Sequence, residues 1–126
     1  MTENEIAKII VDAAYTIHVQ TGPGLLESAY EAMMVYELRK RGLAVLQQTA
    51  LPVFYDGVQL EAGYRVDLIV EDKVIVELKS VEVVSPVHKK QLLTYLRMAD
   101  KRLGLLINFG ANRIKNGISR VVNGMR

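Results

Sequence analysis

Cysteine is absent from this chain, which excludes disulfides and thiolate metal sites and fits a reducing, cytoplasmic compartment. No apolar run approaches the ~20 residues that a membrane-spanning helix needs, and the acidic opening MTENEIAK lacks the basic start of a secretory signal. A cytoplasmic protein without a membrane partner is therefore expected. Internal repeats, low-complexity runs and a glycine-rich phosphate loop are missing too, which sets aside repeat architectures and the common nucleotide-binding loops. What remains is a single domain, residues 1–126, long enough to bury a core without staples.

The net charge of +2 conceals a division along the chain. Residues 1–87 carry 7 basic against 13 acidic side chains, whereas residues 88–126 carry 9 against 1. A basic segment of that strength suits an anionic partner, nucleic acid first among the candidates, although basic residues also coat ordinary solvated helices.

The most informative stretch is GYRVDLIVEDKVIVELKS, Gly63 to Ser80. Its alternation predicts two strands joined by a polar turn at Glu71, Asp72 and Lys73. Tyr64, Val66, Leu68 and Val70 fall on one face of the first strand, and Val74, Val76 and Leu78 on one face of the second. Burying both sets on the same side of a hairpin requires 70 opposite 74, 68 opposite 76 and 66 opposite 78. Asp67 then faces Glu77 at roughly 5 Å between Cβ atoms, with Lys79 two residues further along. Opposed carboxylates repel, so a solvated hairpin should avoid the pair, whereas a divalent cation between them removes the objection. Lys79 would stand beside such an ion, placed to assist a water nucleophile or to offset charge on a phosphate. The plainer alternative for this stretch alone is a surface hairpin with scattered charges.

Flanking elements are legible from spacing. Apolar residues recur at helical intervals from Glu3 to Gln20, with His18 in the last turn, where a histidine complements the helix dipole. The TGPG turn separates this helix from a second, Leu25 to Arg41, which Gly42 ends. Glu27 sits in its first turn, a favourable place for a carboxylate. Counting onward to Tyr30, Met34 and Leu38 also sets Glu27 on the edge of the apolar stripe, where an inward carboxylate needs a partner. Ala44 to Tyr55 reads as extended, with Pro52 an edge or a break, and Asp56-Gly57 turns the chain into Val58–Leu60. Ser85-Pro86 starts a third helix running to about Ala99, on which His88, Gln91 and Tyr95 share a face. Leu103 to Phe109 is a short, wholly apolar strand reached by a parallel crossover. The basic remainder, Ala111 to Arg126, has a weak helical or extended pattern around Ile118 to Val122 and its structure stays open.

In this order the elements and motifs resemble the PD-(D/E)xK nuclease superfamily. They are most similar to its small GxxExxY proteins, whose motif here reads Gly24-Leu25-Leu26-Glu27-Ser28-Ala29-Tyr30. The resemblance implies an α/β (α+β) fold with a restriction-endonuclease-like core: two N-terminal helices, a three-stranded antiparallel meander, a helix, and a further strand completing a mixed sheet. It also implies a metal-dependent nuclease in which Asp67, Glu77 and Glu27 hold Mg2+ or Mn2+ and Lys79 acts beside them. Gln91 with Tyr95 resembles the Q-x-x-x-Y helix of RecB-like nucleases. The implied substrate is nucleic acid, DNA in preference to RNA, contacted by Tyr95, Lys89 and Lys90. Dimerisation is common in small nucleases of this architecture and stands as a second expectation. One position departs from the pattern: Val66 replaces the proline before Asp67. His18 recurs in such proteins without an assigned role. The rival function is a non-catalytic nucleic-acid-binding or protein-interaction module on the same scaffold.

Overall fold

The computed structural model describes residues 1–61 and 63–124. Two helices open the chain, α1 (Glu3–Thr21) and α2 (Glu27–Lys40), followed by β1 (Val45–Ala50), β2 (Val53–Tyr55), β3 (Val58–Leu60), β4 (Arg65–Val70) and β5 (Val74–Lys79). Then come α3 (Pro86–Ala99), β6 (Leu103–Asn108), a 3-10 turn (Ile114–Gly117) and β7 (Ile118–Val122). The main sheet runs β1-β4-β5-β6-β7. Its neighbours are antiparallel except for the parallel pair β5 and β6, the pair that α3 connects.

Local chemistry accounts for the helix ends. Thr2 and Glu5 form a reciprocal capping box at the start of α1. Ser85 accepts from the Val87 amide, with Pro86 at the first helical position of α3. Two apolar layers hold the sheet between them. One packs α1 and α2 through Ile6, Ile10, Tyr30, Met34 and Leu38 against Leu68, Val76 and Leu105. The other packs α3 through Leu92 and Leu96 against Ile69, Ile75 and Leu106. Covered on both faces, β5 is buried from Val74 to Glu77 and through Leu78, and β6 is buried throughout, as an uninterrupted apolar run requires.

The expected α+β architecture with a restriction-endonuclease-like core is what the chain adopts, and three particulars differ. Val53–Leu60 does not extend the meander. Pro52 breaks the strand, β2 and β3 form a separate two-stranded hairpin, and β1 pairs directly with β4. The basic segment contributes a fifth sheet strand, β7, antiparallel to β6; Met125 and Arg126 at its end lie outside the described residues. Lastly, Val66 does not share a face with Leu68. It packs in the α3 layer with Ile69 and Ile75, while Leu68, Val70, Val74, Val76 and Leu78 lie in the other. The reversal coincides with a backbone irregularity opposite Asp67, where Gln48 of β1 adopts φ 47°, a conformation that non-glycine residues rarely hold without local compensation.

Tyr30 links this frame to the site. Its ring stacks on Phe109 at 4.3 Å between centroids, while its hydroxyl donates to the Gly22 carbonyl and accepts from the Leu25 amide. The tyrosine of the G-x-x-E-x-x-Y string thus fastens the turn between α1 and α2. Tyr30→Phe is expected to cost about 1–2 kcal/mol in urea denaturation; a loss below the error of that measurement would remove the fastening role.

Candidate active site

The register of the central hairpin is the expected one where the strands pair: Val70 opposite Val74, Ile69 opposite Ile75, Leu68 opposite Val76. One step beyond, side chains replace the backbone ladder. The Leu78 amide donates to Asp67 Oδ2 at 2.7 Å, and the Asp67 amide donates to Glu77 Oε1 at 3.4 Å. The strands part at this point because a carboxylate occupies the place of a carbonyl. Both acids are thereby drawn to one spot at the end of β5.

Glu77 is 9% exposed. Burial, and then the neighbouring charge of Asp67, push its carboxyl up to about 9, with Lys79 pulling weakly the other way. A carboxyl that binds its proton this tightly in the folded chain makes the metal-free protein less stable as pH rises. The folded state holds one proton more than the unfolded state between the ordinary glutamate value of 4.5 and about 9, so stability is greatest below that window and declines through it. Urea denaturation in chelator should show this fall between pH 6 and 9, and Glu77→Gln should flatten it. An equally steep decline in the variant would assign the effect to other groups.

Around Glu77, a cavity of about 40 Å³ is lined by Lys79, His88, Gln91, Tyr95 and Leu106. The structure therefore brings Gln91 and Tyr95 of α3 to the same place as Glu77 and Lys79. Burial is the main cause holding the Tyr95 hydroxyl above its ordinary value, with the charge of Glu77 next, so it remains a hydrogen-bond donor at neutral pH. His88 Nδ1 is buried and has no hydrogen-bond partner among the described residues. His88 lines the same cavity, and an unpartnered buried polar atom beside it suits a bound oxygen.

Glu27 is placed differently from the inward-facing reading. It is exposed at the first position of α2, and its Oε1 accepts from the Ser80 amide at 3.4 Å, one residue past Lys79. The Ser80 hydroxyl donates to the Leu25 carbonyl at 2.6 Å, so the start of α2 is laced to the end of β5. Lys89 and Lys90 are exposed on the first turns of α3. His18, buried at the end of α1, has its Nε2 2.9 Å from the Ala111 carbonyl, a contact across 93 positions that spacing along one helix could not show.

Two contributors escaped sequence reasoning. Gln48 donates from Nε2 to Asp67 Oδ1 at 3.1 Å and to Glu31 Oε1 at 2.8 Å, and Tyr64 lies against Tyr95 with 5.8 Å between ring centroids. Neither residue type nor periodicity marks Gln48, whose place is set by its unusual backbone angle.

The donor set fits a hard divalent cation on chemical grounds. The two carboxylates are adjacent, and the buried Glu77, which holds its proton in the metal-free chain, would give it up to a cation; magnesium commonly takes one or two protein carboxylates with water and phosphate completing its shell. Among the described residues no group of three or more His, Asp or Glu side chains is close enough to share an ion; Asp67 and Glu77 are the two acids brought together, and Glu27 lies at the Ser80 amide. A family model described as PD-(D/E)XK nuclease superfamily matches residues 4–121. Neither a curated protein nor a solved structure matches the chain.

Proposed function

Because the chain belongs to the PD-(D/E)XK nuclease superfamily, we propose that it is a metal-dependent nuclease of the GxxExxY group, acting on DNA at the end of β5. The observation that carries this reading is the meeting of Asp67 and Glu77 beside a cavity lined by Lys79, Gln91 and Tyr95. Asp67 and Glu77 are the residues that would hold Mg2+ or Mn2+, which when bound supplies Lewis-acid assistance at a phosphoryl oxygen and acidifies water. Lys79 offsets negative charge building on the phosphate or receives a proton from the attacking water. Gln91 and Tyr95 offer an amide and a hydroxyl to orient that water or a phosphate oxygen. Glu27, tied to the Ser80 amide, fixes the strand end from which Lys79 projects.

The direct experiment incubates the purified protein with labelled single-stranded, duplex and branched DNA, and with RNA, in magnesium or manganese. Lys79→Ala is run beside it. Cleavage of DNA that disappears in the variant supports the assignment, whereas cleavage surviving in Lys79→Ala belongs to a contaminant. Preferential cleavage of RNA would overturn the choice of substrate. Manganese titration by calorimetry separates the catalytic reading from the non-catalytic module, which has no reason to bind an ion between Asp67 and Glu77.

A further inference from the structure

Beyond the cleft that holds the two acids, we infer that the substrate strand leaves along a second groove, where Lys89 and Arg113 neutralise its backbone phosphates. The inference rests on the nuclease reading for the identity of the strand. The groove has a volume of about 450 Å³ and lies between the 82–84 segment, the first turns of α3 and the loop from Asn108 to Ser119. Lys89, Asn112, Arg113, Asn116 and Ser119 supply donors, and Glu82 is the one acid lining it. It neighbours the place where chemistry is proposed to occur: Lys89 on its wall follows His88 of the smaller cavity. Asn108, on its wall, is the partner of Lys79 across the parallel strands β5 and β6.

The walls are held by contacts that serve no apolar core. Asn108 Oδ1 accepts from the amides of Val81 and Gly110, and its Nδ2 donates to the Val81 carbonyl. From the other side, His18 Nε2 reaches the Ala111 carbonyl, which gives that histidine a place in the groove's construction. The cations are available to a ligand: no ion pair among the described residues engages Lys89 or Arg113, and both are exposed. The first turn of α3 carries no acidic residue, so the positive end of its dipole adds to Lys89. A concave surface rich in donors and nearly free of carboxylates, with a wall residue paired across the strands to Lys79, matches a nucleic-acid backbone in charge and shape.

The test is the salt dependence of binding, read by fluorescence anisotropy on the full chain with a labelled 20-nucleotide single strand in chelator, so that no cleavage intervenes. Each phosphate contact removed should lower the slope of log affinity against log salt by about 0.7. Arg113→Ala and Lys89→Ala together should therefore lower it by roughly 1.4 and weaken binding about tenfold at low salt. In magnesium the same pair should raise KM with kcat within about twofold. Lys8→Ala, on α1 ten residues or about 15 Å of helix from His18, is the control and should change neither. A double variant that behaves like Lys8→Ala in slope, in a protein that still cleaves, overturns the groove and leaves the nuclease reading intact. A protein that never cleaves, yet loses slope in the double variant, retains the groove as a nucleic-acid contact and refutes the nuclease.

Discussion

Asp67→Asn is expected to lower DNA cleavage by about a thousandfold, the ~4 kcal/mol scale of losing a group that stabilises transition-state charge, while leaving the metal-free protein no less stable than before. The two halves of this result come from one geometry. Asparagine keeps an oxygen for the Leu78 amide, which Asp67 Oδ2 accepts at 2.7 Å, so the parted strands remain joined. What vanishes is a negative charge beside Glu77, the second cause of that carboxyl's high proton affinity. With that charge gone Glu77 gives up its proton at a lower pH, so less stability is lost as pH rises. A variant that is inactive, unable to bind manganese and at least as stable as its parent is the signature of a site kept for chemistry at the expense of folding. Circular dichroism melts in chelator, calorimetric titration with manganese and the cleavage assay read the three consequences separately. Undiminished cleavage would falsify the role of Asp67, and a sharply destabilised variant would make the carboxylate a structural acceptor.

The central hairpin shows both the reach of sequence reasoning and its limit. Alternation fixed the pairing of Leu68 with Val76 and brought Asp67 to Glu77, because burying two apolar faces leaves one register. The same argument misplaced Val66, since it assumes an unbroken pleat. The pleat breaks at Asp67, where a side chain takes over a backbone bond and Gln48 adopts φ 47° on the neighbouring strand. Irregularity and candidate site coincide, as expected where strain is tolerated for function. Helix boundaries were legible because caps are local: Ser85-Pro86 and the Thr2–Glu5 box announce themselves. Lys79, Gln91 and Tyr95 could be named from their motifs, but only the crossover of α3 over β5 and β6 puts them around one cavity. Gln48, Tyr64 and the contact of His18 with Ala111 depend on distant segments meeting, and β7 lies in a segment whose apolar pattern is too short to declare a strand.

Gly117→Ala is expected to destabilise the protein by about 3 kcal/mol, at the upper end of what overpacking costs, and to lower Tm by roughly 10 °C. A Cβ at Gly117 would stand 2.2 Å from the Asn108 carbonyl oxygen, and one at Gly110 would stand 2.3 Å from that of Val81. The Val81 carbonyl is held by the Asn108 side chain and that of Asn108 belongs to the end of β6, so neither swings aside freely and the loop itself must lift. Gly104 provides the comparison, since its added Cβ meets the side chain of Leu92 at 2.9 Å, and a leucine can change rotamer to relieve part of the clash. The expected order of destabilisation is therefore Gly117 and Gly110 ahead of Gly104, measured by urea denaturation. The functional consequence separates this loop from an ordinary packing site. Lifting it moves Arg113 and Asn112 away from the strand end bearing Lys79, so in Gly110→Ala, below its melting temperature, single-strand affinity should fall several-fold while manganese still binds between Asp67 and Glu77. If Gly117→Ala and Gly110→Ala melt within about 2 °C of the parent, the close approach of this loop to β5 and β6 is wrong, and the wall of the groove with it.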